Sequence, residues 1–534
     1  MAARCYKDIP ISPAPSPRWH RRDGDYMKHF LRKKYSFRQI DGSGMNPVHQ
    51  EYGKTGQDFQ RIAPAEYADG VWAPAGANRA GPREVSNLLC AQPGSQPNKS
   101  GLSNYAWLWG QFIDHDITLT KDGNGDLPIT VPTGDPHFDP NSEGGKTIAF
   151  TRSGFNDHGP TNPRQQFNSL SPVIDGSMVY GNSEERNKYI RAYKNGELLV
   201  SEGYMLPIYT GQAEMAGNSK WASFFAGDVR ANEHLGLTAL HTLFVREHNR
   251  WARKIKEQKS HWNDEQIYQH ARVLVEATLQ HITYHEFLPA ILGRGTLRKY
   301  QGFDPQTNPQ LANEFSTAAY RFGHSMVSSD LYEPHQLRDA FFSSHLLCNE
   351  GGIDPVLVSL AGGLAQELDS GLVDDLRNLL FGPPGAGGHD LAALNIQRGR
   401  EHGLAHYNAV RVKVGLPPIT EFEQLAEGRQ WVLEGLQKAY PTVDDIDLWV
   451  GGLLEKHVEG SQLGQTFHRI VKRQFEDIRD GDSFWYEWRL PKPMVAYVKS
   501  RTLRDVILDN TYIKEKDLEQ DLFRVSHSGS RYKD

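Results

Sequence analysis

The sequence predicts a mainly α-helical protein with very little β structure, because apolar residues recur at three- and four-residue spacing over several long stretches, while alternating strand-like runs are few and short. The clearest helix starts behind Asn263, with Gln266 three residues later as its capping partner, and carries Ile267, Ala271, Leu274, Val275, Thr278 and Ile282 on one face. Weaker periodicity of the same kind covers 103–119, 235–257, 313–328, 355–380, 421–438 and 462–477. Other stretches lack it. Residues 1 to about 60 are rich in Pro, Lys, Arg and Gly and read as an arm laid over a larger body, and 122–168 reads as a long loop of a kind that is often functional. The Gly-Pro-rich segment 382–389 reads as a connecting loop, and the charged stretch from about 514 as an exposed extension. The expected organisation is an arm over 1–34, one large domain over 35–513 and a tail over 514–534.

A chain of 534 residues can form one large enzyme domain around a cofactor, or several average domains. Its 23 Phe, 22 Tyr and 11 Trp supply ample core material. The net charge of −6 comes from 65 acidic and 59 basic residues mixed along the chain, which argues against a nucleic-acid groove or a polybasic membrane patch and favours small partners. Only Cys5, Cys90 and Cys348 occur, without a CxxC pair, so disulfides are no main source of stability and a reducing compartment is permitted. Pro10, Pro13, Pro15 and Pro17 stand where a signal peptide needs an apolar run, and no 18-residue apolar stretch exists. A soluble protein without a membrane span is expected, either cytoplasmic or exported by a non-classical route.

The chemistry is concentrated around Trp109-Gly-Gln111-Phe-Ile-Asp114-His115-Asp116. On a helix Gln111, Asp114 and His115 share one face, and Asp116 is turned away by about 100°. A lone histidine between acids is more often a hydrogen-bonded surface residue than a catalyst. Further on, Ser171, Val173, Asp175 and Ser177 alternate at every second residue and offer hydroxyl, carbonyl and carboxylate oxygens to a hard cation, although such clusters are usually turns.

The first of these segments closely resembles the distal motif of the animal-type haem peroxidases, a family that includes myeloperoxidase, lactoperoxidase and peroxidasin. Ala226-Gly-Asp-Val-Arg230-Ala-Asn-Glu233, Tyr320-Arg321-Phe-Gly-His324 and Leu394-Asn395-Ile-Gln-Arg398 match the same family in the same order, and looser matches extend the likeness over about residues 35–490. One such string could arise by chance; the ordered set could not. With so few cysteines the chain is similar to bacterial members that lack the disulfide framework. The resemblance implies that family's fold, with haem between the His115 and His324 helices.

It also implies roles. His115 resembles the base that moves a proton between the two peroxide oxygens, for which neutral imidazole is suited. Arg230 matches the fixed cation beside the departing oxygen, and Gln111 the residue that hydrogen-bonds distal water or halide. His324 resembles the axial iron ligand and Asn395 the acceptor on its other ring nitrogen. Arg321 and Arg398 look like residues that hold the haem propionates or the proximal region, with a structural salt bridge an equal alternative for Arg398. Asp114 and Glu233 match carboxylates that esterify haem methyl groups, so a haem b-derived group held by two esters is implied. His234 stands where myeloperoxidase has the methionine of a third link, which removes the best sequence argument for chloride oxidation. Asp116, Ser171, Val173, Asp175 and Ser177 match the family's calcium site, which would tie that loop to the His115 helix.

The implied reaction reduces hydrogen peroxide through an oxyferryl intermediate and oxidises small anionic or phenolic donors: iodide, bromide, thiocyanate and phenols. The alternatives are a haem fatty-acid dioxygenase of the wider superfamily and a non-catalytic adhesion protein; the two ester-type carboxylates and the intact His115, Arg230 and His324 favour peroxidase. Other motifs carry less. Asp122-Gly-Asn-Gly-Asp126 begins like an EF-hand but has Leu127 and Thr133 at the sixth and twelfth positions, so a flexible turn is expected. His281 with His285, and His241 with His248, read as packing residues, and Asp480-Gly-Asp482 as a simple turn.

Overall fold

The computed structural model describes residues 26–27, 30–32, 35–217, 224–349 and 351–526. The remainder of the expected arm and the last eight positions lie outside these. Helices build the body, and short paired strands decorate it.

Helix α1 (Tyr105–Ile117) is buried along its length except at Gly110, Gln111 and Asp114. Its aromatic residues explain that burial: Phe112 and Trp109 pack on Phe244 at 5.4 and 5.7 Å between ring centroids, and the Trp109 indole donates to Thr283 Oγ1 at 3.1 Å. Phe244 belongs to α2 (Leu235–Gln258), whose first turn is capped by the His234 imidazole accepting from the Leu237 amide. Helix α3 (Asp264–Ile282) has the expected reciprocal cap, in which Asn263 accepts from the Gln266 amide and Gln266 from the Asn263 amide. It runs into a wider π-type turn at Thr283–Phe287, and such turns are frequent at functional sites. Helices α4 (Leu391–Glu401) and α5 (Gln465–Asp480) complete the set that matters for the site.

Several expectations are corrected. The stretch 313–328 is not one helix: Asn313–Thr317 is α-helical, and after Ala318 the chain tightens into a 3₁₀ segment, Ala319–Met326. Residues three apart eclipse in that geometry, which brings Arg321 and His324 onto one edge. The stretch 355–380 breaks after Asp354–Gly362, where Gly362-Gly363 releases the chain to bridge Ser103 through Leu364. Within 421–438 the helix is interrupted at Glu427 and Gly428, both at positive φ. The expected loop 122–168 is a loop over 131–146 and 157–164 but carries short strands around them, and Asp122–Asp126 is no flexible turn: it pairs antiparallel with Thr151–Ser153, with Gly123 so close that a Cβ would come within 2.8 Å of the Ser153 carbonyl oxygen.

The C-terminal stretch is not an exposed extension over its described length. Leu518, Leu522 and Phe523 are buried, the Ser103 amide donates to the Phe523 carbonyl at 3.0 Å, and the Phe523 ring lies 6.4 Å from Trp109. Three apolar anchors outweigh the charged residues between them. Asp482 lies at the expected turn but does more than turn the chain: it is buried and accepts from Arg38 Nη2 at 2.9 and 3.0 Å, from the Phe484 amide at 2.8 Å and from Gln280 Nε2 at 3.3 Å. Replacing it with Ala strands the Arg38 guanidinium, so Asp482→Ala is expected to cost about 3–5 kcal/mol in chemical denaturation; an unchanged midpoint would show that the pair contributes nothing net.

The histidine pairs do pack. His248 lies between the Tyr180 hydroxyl and the Gly196 carbonyl, His241 Nδ1 meets the Met178 carbonyl, and the rings of His281 and His285 stand 4.4 Å apart with the Tyr486 hydroxyl 3.3 Å from each. Among the described residues no three His, Cys, Asp or Glu side chains cluster as a metal site, and no helix is long and apolar enough to cross a membrane.

Candidate active site

A cavity of about 370 Å³ is walled by α1, by the Arg230–His234 segment, by the 3₁₀ segment and by α4. Gln111, Asp114 and His115 all line it, as do Arg230, Glu233, Arg321, His324 and Arg398. Asn395 reaches it only through His324 and Arg321. Asp116, one residue beyond His115, points instead to Ser177. Four distant stretches of chain therefore converge on one space.

On the α1 side, burial and the neighbouring Arg230 cation hold His115 well below the usual imidazole range, against the opposing pull of Asp228. His115 is therefore neutral near pH 7. Its Nδ1 has no hydrogen-bond partner among the described residues, the nearest acid being Asp228 at 3.6 Å. Arg230 is gripped by Asp228 through Nε and Nη2, both at 2.9 Å, and Nη1 reaches Asp114 at 3.3 Å. Burial alone would weaken its charge, and the Asp228 carboxylate more than offsets that.

Asp228 was missed by sequence reasoning. Its signal was the acid two residues before Arg230, which also accepts from the Arg230 amide at 2.8 Å and so fixes the turn. Gly227 beside it is required by close approach, since a Cβ there would stand 2.5 Å from the carbonyl oxygens of Ser177 and Met178.

Burial raises Asp114 to about 6 and Glu233 to about 8, with Arg230 opposing both shifts. Gln111 Nε2 donates to Glu233 at 2.9 Å, and its oxygen lies 2.8 Å from His234 Nε2. Because His234 Nδ1 accepts from Leu237, Nε2 carries the proton and fixes which way the Gln111 amide faces. Sequence reasoning had treated His234 only as a missing methionine.

Across the cavity, Asn395 Nδ2 lies 2.7 Å from His324 Nδ1, and its oxygen accepts from Arg321 at 3.1 Å. This reverses the expected acceptor role: the buried Arg321 cation takes the oxygen, leaving the amide nitrogen for the imidazole. Arg398 bonds the Thr151 carbonyl and Ser153 and pairs with Glu401 at 3.3 Å, so it makes the salt bridge while also lining the cavity. The apolar wall includes Phe150, Val327, Leu337, Leu376, Leu380 and Leu391. An apolar body, two arginines near one edge and an imidazole whose Nε2 remains for a metal suit a planar metal macrocycle with carboxylate substituents.

Behind α1, Asp116 Oδ1 accepts from the Ser177 hydroxyl at 3.0 Å and Oδ2 from the Gly176 amide at 3.2 Å. Asp116 and Asp175 are both buried and both held above the usual carboxylate range by burial, with Asp175 adding to the rise at Asp116 and the Arg38 and Arg272 cations opposing the rise at Asp175. Among the described residues Ser171 Oγ and Asp175 Oδ2 have no partner, and Val173 is buried in the same turn.

A family model for animal haem peroxidases matches residues 37–523. Peroxinectin A of Dictyostelium discoideum is 35% identical over 501 residues, covering 89% of this chain and 93% of its own. Mouse thyroid peroxidase is 34% identical, covering 92% of this chain but 61% of its own length. Among solved structures, peroxidase A from Dictyostelium discoideum superposes with a TM-score of 0.83 at 34% identity, over 92% of this chain and 100% of that one. A fatty acid alpha-dioxygenase of Arabidopsis thaliana superposes at 0.78 with 21% identity over 92% and 83%, which is a likeness of fold.

Proposed function

Because this chain belongs to the animal haem peroxidase family, and is thus an oxidoreductase of a family whose cofactor is haem, we propose that the cavity between His115 and His324 reduces hydrogen peroxide and oxidises iodide, bromide, thiocyanate or phenols. The observation that carries this reading is the neutral, buried His115 beside a cation fixed by Asp228. Haem supplies the iron at which peroxide binds and is split.

The protein's own groups do the rest. Neutral His115 takes the proton from one peroxide oxygen and returns it to the other, and Arg230, held by Asp228, stabilises the charge on the departing oxygen. Gln111, locked by His234, presents its amide to water or an anionic donor. His324 would ligate the iron through Nε2, which would need the proton on Nδ1 and therefore the Asn395 oxygen facing it. Such a ligand would require the Asn395 amide to be turned over from its present orientation, which would free Arg321, with Arg398 beside it, to hold the haem carboxylates. Asp114 and Glu233 would be the carboxylates esterified to the haem, with one peroxide per ester as the two-electron oxidant, and Asp116, Ser171, the Val173 carbonyl, Asp175 and Ser177 would hold calcium.

The test is to purify the protein, assay each donor with peroxide, then denature it and extract with acidic organic solvent. Haem is expected to stay with the peroxide-treated wild type and to be released in larger part from Asp114→Val. Haem that extracts fully from the wild type removes the esters from the scheme. Oxygen uptake with linoleate and no peroxidase turnover would reverse the functional reading in favour of a dioxygenase.

A further inference from the structure

A second cavity, of about 410 Å³, shares no lining residue with the first. Tyr284, Tyr300 and Trp485 form its aromatic wall, and Arg298, Lys299 and Lys499 line its edge. Among the described residues nothing hydrogen-bonds the Tyr300 hydroxyl, the Trp485 indole N–H or Arg479 Nη2, although all three atoms are buried at this cavity. Unsatisfied donors are costly, and three at one cavity mark it as unlike ordinary packing.

The wall is also one end of a continuous run of rings. Tyr320, which lines the peroxide cavity four residues before His324, lies 5.5 Å from Phe475; Phe475 lies 5.9 Å from Tyr284, Tyr284 4.8 Å from Trp485, and Trp485 5.9 Å from Tyr300. These rings can pass an electron. Only one of them can hold a positive hole without first losing a proton to an acceptor it lacks: the Tyr320 hydroxyl has no partner, the Tyr284 hydroxyl bonds only the non-basic Phe475 carbonyl, and Tyr300 has none. An oxidised indole with no acceptor for its N–H keeps that proton, and the Trp485 N–H has none among the described residues, so Trp485 is the resting point. Asp480, 2.7 Å from Arg479 Nε, offsets the guanidinium charge nearby.

We propose that this cavity is a second donor site, where phenols on bulky anionic molecules that cannot enter the first cavity are oxidised at a distance through Trp485, Tyr284, Phe475 and Tyr320. With their pairing partners counted in, the six cations Arg298, Lys299, Lys472, Arg473, Arg479 and Lys499 outnumber the four carboxylates Glu476, Asp477, Asp480 and Glu487. Anionic donors are thereby favoured. For each peroxide, two phenol groups lose one electron and one proton apiece and become phenoxyl radicals. Their protons leave to water at the second cavity, while two protons and the two electrons complete the reduction of hydrogen peroxide to two waters at the first.

This inference rests on the peroxidase reading, and the probes separate the two: iodide as the small donor, and a random copolymer of glutamate and tyrosine as an anionic chain of phenols. The haem-loaded Trp485→Phe variant is expected to lose about an order of magnitude or more in kcat/KM for the copolymer and to oxidise iodide within about twofold of wild type. Lys299→Glu, at an exposed position, is expected to raise KM for the copolymer and leave kcat unchanged. Rapid-freeze electron paramagnetic resonance after peroxide without donor is expected to show an indole radical in wild type and none in Trp485→Phe. Copolymer oxidation retained by Trp485→Phe, or wild type without the indole radical, overturns the inference. If the phenylalanine variant does not fold, Lys299→Glu and the wild-type spectrum decide. A wild type that oxidises iodide but not the copolymer overturns the second site alone, and one that oxidises neither overturns the peroxidase reading and this site with it.

Discussion

A protein carrying His115→Ala is expected to load haem as the wild type does and to split peroxide about 10²–10⁴-fold more slowly, the range that a positioned acid–base group contributes. Stopped-flow mixing with peroxide measures the step directly, and the haem absorption band checks loading. His115 is buried on α1 and makes no hydrogen bond through Nδ1, so its removal leaves no stranded partner. The loss therefore reports proton transfer rather than collapse. Its depressed pKa adds a pH signature. Since burial and Arg230 keep the imidazole neutral well below the usual range, the wild-type rate should not fall as pH drops through about 6.5, where a free imidazole protonates. A rate that halves there would mean that His115 titrates like a free imidazole and is not held neutral by burial and Arg230, and full activity in His115→Ala would remove it from the mechanism altogether.

Much of this site was legible because helix geometry is. The spacing of Gln111, Asp114, His115 and Asp116 dictates which of them share a face, and the structure puts the first three in the cavity and the fourth behind it. What could not be read was set by tertiary contact. Asp228 acts across a non-helical turn, where no periodicity marks it. The Asn395 amide faces as it does because Arg321, brought alongside by a 3₁₀ winding, takes its oxygen. The strands in 122–168 are too short for alternation to register, and the C-terminal stretch is anchored by three apolar residues scattered among charges, one of which meets Trp109. Asp482 lay in a turn-like string, and only folding revealed that Arg38, 444 residues earlier in the chain, is its partner.

Chelating calcium is expected to reverse the sign of what Asp116 and Asp175 contribute to the pH dependence of stability. Asp116 and Asp175 are buried side by side, with Ser171 Oγ and Asp175 Oδ2 lacking partners among the described residues, and both carboxyls are held above their ordinary range. Without a cation these two groups therefore bind more protons in the folded state than in the unfolded state. The contribution of these two carboxyls in excess EDTA is then largest at acid pH and is lost as pH rises from the unfolded carboxylate value, about 4, through the raised folded values. With calcium the two carboxylates must be ionised to bind it, so protons compete with the metal and the calcium-dependent stability is lost as pH falls. At neutral pH a free calcium concentration about 100-fold above Kd should add about 2.7 kcal/mol. Denaturation across pH 4–8 in EDTA and in calcium measures both slopes. The consequence reaches the active site, because Ser177 binds Asp116 on the His115 helix while the carbonyls of Ser177 and Met178 close against Gly227 beside Asp228. Metal loss should therefore slow peroxide cleavage together with the fall in stability, and an EDTA-treated protein with unchanged denaturation midpoint and rate would show that these residues hold no cation.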